Sequence, residues 1–243
     1  MSAPVHLVLG AGGGIGSEVC RRLAASGAQL GLAGRSEAPL RELSGELGGS
    51  VHVLDATSTE AVQAAVDALV AEHGRLDGVV NCVGSILLKP AHRTSPEEWR
   101  ETLAANLDTA FAAVRAGASA MRRSGGSIVL LSSAAARHGL MNHEAVAAAK
   151  AGVVGLALSA AASYASKGLR VNVVSPGLVR TSLAEPITRN AASEKASLAM
   201  HPLGRLGEPA DVARTITWLL DPEQSWVTGQ VLGVDGGLGS VRA

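Results

Sequence analysis

Seven short apolar runs alternate along this chain with longer stretches of helical periodicity, and that alternation restricts the fold more than any other feature. The runs are "VHLVLG" (5–10), "AQLGLAG" (28–34), "VHVLD" (51–55), "GVVN" (78–81), "SIVLLSS" (127–133), "RVNVVSPG" (170–177) and "QVLGVDGG" (230–237). The helical stretches fall near 14–26, 37–48, 58–73, 96–123, 143–167 and 209–220. Most runs are apolar nearly throughout rather than at every second residue, the pattern of strands covered on both faces. Such strands separated by helices form a parallel sheet, wound in both directions by right-handed crossovers, with ligands at the carboxyl ends of the strands. The expectation is an α/β fold: one doubly wound parallel sheet of about seven strands, flanked by helices on both faces, in a single domain over residues 1–243. Aromatic residues are 2% of the chain against 47% apolar, so the core must be built from Ala, Val, Leu and Gly, which lets helices and sheet approach closely. Residues 182–208, "SLAEPITRNAASEKASLAMHPLGRLGE", form the one long connection of weak periodicity. At a ligand edge, a connection of that length is expected to be a mobile substrate loop.

The charge balance narrows the partners. Twenty-one basic residues meet twenty-one acidic ones, so no excess points to nucleic acid or an anionic membrane. Apolar runs such as "SIVLLSSAAA" are too short to span a bilayer. The start, "MSAPVHLVLGAGGG", passes into glycines with no basic segment before them and is not read as a signal peptide. Cys20 and Cys82 stand apart with no metal-ligand spacing and are expected to be small core residues. A cytoplasmic protein acting on a small molecule is the expectation.

The first run leads through "VLGAGGGIGSEV" into the first helix. Gly10, Gly12, Gly13, Gly14 and Gly16, with Ile15 among them, allow a tight turn and a close backbone approach to a pyrophosphate at the helix N-terminus. A plain strand–helix turn would use glycine too, but the strand–turn–helix setting favours a dinucleotide and a Rossmann-type sheet. After the second run, "AGRSE" offers Gly34, Arg35 and Ser36 where a carboxylate would otherwise receive the ribose 2′-hydroxyl. A guanidinium and a hydroxyl suit a 2′-phosphate, which favours NADP(H) over NAD(H); a solvated loop cation is the alternative for Arg35.

With these motifs in place the chain resembles the short-chain dehydrogenases/reductases, in particular the 3-oxoacyl-carrier-protein reductases, nearly end to end. "GAGGGIG" (10–16) is similar to the family's glycine motif, with Leu9 where a threonine is usual. The resemblance implies that Asp55, followed by Ala56 in "LDATS", contacts the adenine. It implies that "NCVG", with Asn81, Val83 and Gly84, closes the fourth strand against the cofactor. Pro176 and Gly177 in "SPGLVRT" would pack on the nicotinamide, with Val179 and Thr181 at its carboxamide. Asn106, Ser133 and Lys150 match three members of the family's catalytic tetrad. Lys150 would also bind the nicotinamide ribose. Dimers and tetramers through the helices at 96–123 and 143–167 are implied as well.

The fourth member is missing. In "NHEAVAAAK" the tyrosine position, four residues before Lys150, holds Val146, which cannot exchange a proton. The only tyrosine, Tyr164, lies eighteen residues further on and about 27 Å away along one helix, out of reach. His143, three residues before Val146, lies near the same helix face, but the resemblance gives that place no catalytic role. Glu144 and His138 are expected to be solvated. Loss of a positioned general acid removes typically about 10²–10⁴-fold of rate without abolishing hydride chemistry, which belongs to the cofactor. Three readings follow. One is an atypical NADP(H)-dependent reductase or dehydrogenase whose proton comes from a water or from Lys150, or whose substrate carbonyl is itself activated. Another is a silent subunit that partners an active paralogue. The third is a non-redox reaction on the same scaffold.

Overall fold

A computed structural model describes residues 3–241; residues 1, 2, 242 and 243 of the expected unit lie outside the described residues. All seven runs form strands: β1 (Val5–Leu9), β2 (Gln29–Gly34), β3 (Ser50–Val53), β4 (Gly78–Asn81), β5 (Gly126–Leu131), β6 (Leu169–Pro176) and β7 (Val231–Val234). The helices are α1 (Gly14–Ala25), α2 (Glu37–Leu47), α3 (Thr59–His73), α4 (Pro96–Leu103), α5 (Thr109–Met121), α6 (Glu144–Tyr164), α7 (Glu185–Thr188), α8 (Ala191–Met200) and α9 (Pro209–Leu220).

The strands are parallel in the order β3-β2-β1-β4-β5-β6-β7. The chain therefore leaves the centre in one direction through β1, β2 and β3, then returns to build outward from β4. Between β1 and β4 the crossovers diverge, and a crevice opens at the carboxyl ends of the strands. Alternation along β1 shows why both faces are dry. Leu7 and Leu9 pack with residues of α3, α5 and α6, whereas Val8 packs with residues of α1, α2 and α9. Both layers are dominated by Ala, Val and Leu, as the near absence of aromatics requires.

Three segments differ from the sequence expectation. The helix expected over 96–123 is broken by a π-helical turn, Ala104–Asp108, between α4 and α5. The 182–208 connection is largely helical, containing α7 and α8; Asn190 caps α8 by accepting from the Ser193 amide at 3.0 Å. The stretch Glu144–Lys167 is, by length and hydropathy alone, long and apolar enough to cross a membrane, which the shorter runs did not suggest. In this fold it packs beside α5 in one helical layer. Ala149, Val153 and Ala157 are buried, and α6 packs against β6.

Candidate active site

The register of the central strands aligns three carboxyl ends, because Leu9 pairs with both Ala33 and Asn81. The Gly10 amide donates to the Ala33 carbonyl at 2.8 Å, and the Cys82 amide donates to Leu9 at 2.9 Å. Above these ends lies a cleft of about 980 Å³. Its walls include Gly10, Gly12, Gly13, Gly14, Ile15, Gly16, Arg35, Ser36, Asp55, Ala56, Val83, Gly84 and Thr181 of the expected cofactor residues.

The glycine turn has the shape of a cradle for a ligand. Gly10 has φ +79°, and a Cβ on Gly16 would fall 2.1 Å from the Gly10 carbonyl oxygen, so no other residue fits there without moving the loop. Gly13 precedes α1 with no side-chain cap, which leaves the first helical amides for an outside acceptor. Opposite, a Cβ on Gly14 would meet Thr181 Cγ2 at 2.8 Å. At the far end Asp55 accepts from the amide and hydroxyl of Thr57, both at 2.9 Å. Those bonds, with a smaller contribution from Arg35, hold its carboxyl below the usual range. The cleft is long, anion-seeking at the helix N-terminus and cationic beside Asp55, and these residues fit a nicotinamide dinucleotide.

Asn81 is not on the open wall. It is buried, donates to Thr109 Oγ1 at 3.1 Å and accepts from the Val83 amide at 3.1 Å, so it shapes the strand exit. Pro176, Gly177 and Val179 lie behind the open cleft rather than on its wall. Gly177 lines a neighbouring cavity with His201 and Asp235. Val179 is buried, and its backbone bridges Gly207. Their segment reaches the cleft only at Thr181.

Two of the tetrad residues, Asn106 and Lys150, meet beneath Gly84. A Cβ there would lie 2.9 Å from Asn106 Oδ1 and 3.3 Å from Lys150 Nζ, so the bare glycine places both groups at the cleft floor. The π-helical turn positions Asn106. Its Nδ2 donates at 2.9 Å to the Thr102 carbonyl four residues back. The same amide nitrogen donates to Ser85 Oγ at 2.9 Å, and Oδ1 accepts from the Ser85 amide at 3.1 Å. Ser85, on the cleft wall, was not singled out in the sequence; its place directly after "NCVG" was the available signal.

Lys150 is buried and donates to the Leu131 carbonyl at 2.9 Å. Burial lowers its pKa to about 8. Burial also pushes the neighbouring Cys82 thiol up to about 12, so that sulfur stays protonated and gives the ammonium no counter-charge. Ser132 Oγ donates to the Lys150 carbonyl at 2.8 Å, and Ser133 Oγ accepts from the Ala135 amide at 3.2 Å. That bond uses a lone pair of Ser133 and leaves its hydroxyl hydrogen available. Val146 is buried in the first turn of α6, one turn before Lys150. Tyr164 ends the same helix, as the spacing requires. His143 stands at the helix start with its ring against the Met141 carbonyl at 2.8 Å, and Glu144 accepts from the Ala91 amide at 3.3 Å. Cys20 is fully buried, as expected for a core residue.

Residues 10–239 match the family model described as enoyl-(acyl carrier protein) reductase. The chain belongs to the short-chain dehydrogenase/reductase family. It is 38% identical to galactitol 2-dehydrogenase (L-tagatose-forming) of Cereibacter sphaeroides, over 95% of this chain and 92% of that protein. It is 34% identical to a 3-oxoacyl-[acyl-carrier-protein] reductase, FabG, of Vibrio cholerae, over 98% of each. Among solved structures, a short-chain dehydrogenase/reductase from Mycobacterium ulcerans superposes with a TM-score of 0.93 at 36% identity, covering 100% of this chain and 93% of that one. ElxO with NADP bound gives 0.92 at 28% identity, covering 99% and 100%. Members of this family bind nicotinamide cofactors, act on small molecules and oligomerise.

Proposed function

We propose that this chain is an NADP(H)-dependent reductase or dehydrogenase that interconverts a small carbonyl compound and its alcohol without a tyrosine proton donor. The observation that carries the reading is the convergence of Lys150 Nζ and Asn106 Oδ1 under Gly84 at the floor of a glycine-cradled cleft. The preference for NADP(H) rests on Arg35 and Ser36 at the end of β2, with ElxO's NADP complex as supporting likeness.

The amides at the start of α1 would hold the pyrophosphate, Asp55 and Arg35 the adenosine end, and Lys150 the nicotinamide ribose. Bound there, the cofactor would supply or accept hydride. The rest falls to the chain. Ser133 directs its free hydroxyl hydrogen to the substrate oxygen. Lys150, easier to deprotonate after burial, releases a proton from Nζ to a water in the space that Val146 leaves beside it. Asn106, fixed by Thr102 and Ser85, orients that water with Oδ1. The substrate oxygen takes its proton from the water.

Oligomerisation through α5 and α6 belongs to the same proposal. Almost every face of α6 is small and apolar, and Leu158 on it and Phe111 on α5 are about half exposed. An apolar helix face of this kind favours cover by another chain.

Val146→Tyr decides between the readings. In a site that lacks only its acid, reduction of a carbonyl panel with NADPH rises about 10²–10⁴-fold, and Lys150→Ala abolishes it. If neither the native chain nor the variant oxidises NADPH, and the native chain co-purifies with a tyrosine-bearing paralogue, the proposal fails and the silent-subunit reading replaces it. Turnover without a change in nicotinamide absorbance would favour the non-redox reading.

A further inference from the structure

We propose that His201 is a positioning residue whose imidazole clips α8 to the backbone leading into the cofactor cleft, so that cofactor affinity falls when the clip is removed. His201 directly follows α8 and is buried. Its Nδ1 lies 2.7 Å from the Ser197 carbonyl, an acceptor only, so Nδ1 carries the hydrogen. Its Nε2 accepts from the Leu178 amide at 3.1 Å, a donor only, so Nε2 is bare. One tautomer satisfies both bonds, and it is uncharged.

The clip reaches the cleft through short links. A Cβ on Gly177 would lie 2.6 Å from His201 Nε2, so the close approach needs that glycine. Leu178 accepts from the Gly207 amide and Arg180 donates to the Gly207 carbonyl, both at 2.9 Å. One residue further, Thr181 faces Gly14 at the N-terminus of α1. Releasing Leu178 therefore loosens the wall opposite the pyrophosphate cradle.

The charged groups around the ring are engaged elsewhere. The Asp235 carboxylate, from the end of β7, accepts from the Gly237 and Gly239 amides at 2.9 and 3.0 Å. Arg205 and Arg214, which share its cavity, both pair with Asp211. On α8, Glu194 pairs with Arg180, which also approaches Glu208. None of these contacts involves a ring nitrogen of His201.

The test compares the native chain with His201→Gln, whose amide oxygen can occupy the place of Nε2, and with His201→Ala, which offers no polar group. NADP⁺ affinity is measured by calorimetry at pH 7.5, and limited proteolysis of residues 182–200 is followed without ligand. The Ala variant should bind about tenfold more weakly and be cut faster, and the Gln variant should restore both readouts toward the native values. Native-like affinity in the Ala variant, or a Gln variant as weak as Ala, overturns the proposal, as does a ring ¹⁵N spectrum with the proton on Nε2 at pH 7.5. Should the Ala variant not fold, the native–Gln comparison and the ring spectrum still decide. A native chain that binds no dinucleotide refutes the cofactor reading; proteolysis and the ring spectrum then decide the clip alone.

Discussion

Replacing Lys150 with methionine should stabilise the folded chain while removing its grip on the cofactor. The ammonium is buried, its one hydrogen bond goes to the Leu131 carbonyl, and its pKa falls from 10.5 to about 8 through burial. At about 1.4 kcal/mol per pH unit, holding that charge inside costs about 3 kcal/mol whenever the pH is below 8. Between about pH 8 and 10.5 the unfolded chain still carries the proton and the folded chain has released it, so the native protein gains stability as pH rises across that window. Methionine occupies a similar volume without the charge. It leaves the Leu131 carbonyl without its donor, at about 1 kcal/mol, so the net gain at pH 7 is about 2 kcal/mol. For a chain of this length that raises Tm by about 4–8 °C. Thermal melts of both proteins from pH 6 to 10, without ligand, read the difference. It should be largest at pH 6–7 and vanish near pH 10, while dinucleotide titration shows the variant's binding lost. A variant less stable than native at pH 7, or a gap that does not narrow with pH, would refute the reasoning.

Two further substitutions probe the cleft. Gly16→Ala places a Cβ 2.1 Å from the Gly10 carbonyl oxygen, so the loop must shift; a loss of about 1–3 kcal/mol in stability should accompany the loss of dinucleotide binding in titration. Arg35→Ala removes a charge-assisted partner of a 2′-phosphate, worth about 1.5–3 kcal/mol. NADP⁺ binding should weaken about 10- to 100-fold with NAD⁺ binding unchanged, and equal losses for both would show that Arg35 does not read the phosphate.

The sheet was legible because its strands are parallel and covered on both sides, which leaves largely apolar runs such as Val5–Leu9, broken only by His6, and the unbroken Ile128–Leu131. The cradle was legible for a related reason: Gly10 and Gly16 occupy positions where a side chain collides with backbone, so the sequence records the geometry directly. The π-helical turn at Ala104–Asp108 escaped because one extra residue in a turn hardly disturbs a helical pattern rich in alanine. The helices within 182–208 escaped for want of a clear apolar face, although Asn190, which caps α8 through Ser193, was a visible start signal. The contact between the Leu178 amide and His201, twenty-three residues away, escaped because no local pattern reports so distant a partner.

Lys150 and Val146 also differ in what the fold asks of them. Valine in the first turn of α6 is an ordinary buried apolar residue, and its environment needs no hydroxyl. The lysine is the reverse case, since an apolar side chain would serve the packing better by the margin estimated above. Its ammonium satisfies only the Leu131 carbonyl, a group that water or a local rearrangement could satisfy instead. The remaining protons on Nζ lie beside Gly84, where the missing side chain opens the floor to the cleft. An interior charge with spare donors beside that glycine costs the fold stability, and the proposed function gives it a use: Nζ would meet ribose hydroxyls and a substrate-side water, even with valine in the tyrosine's place.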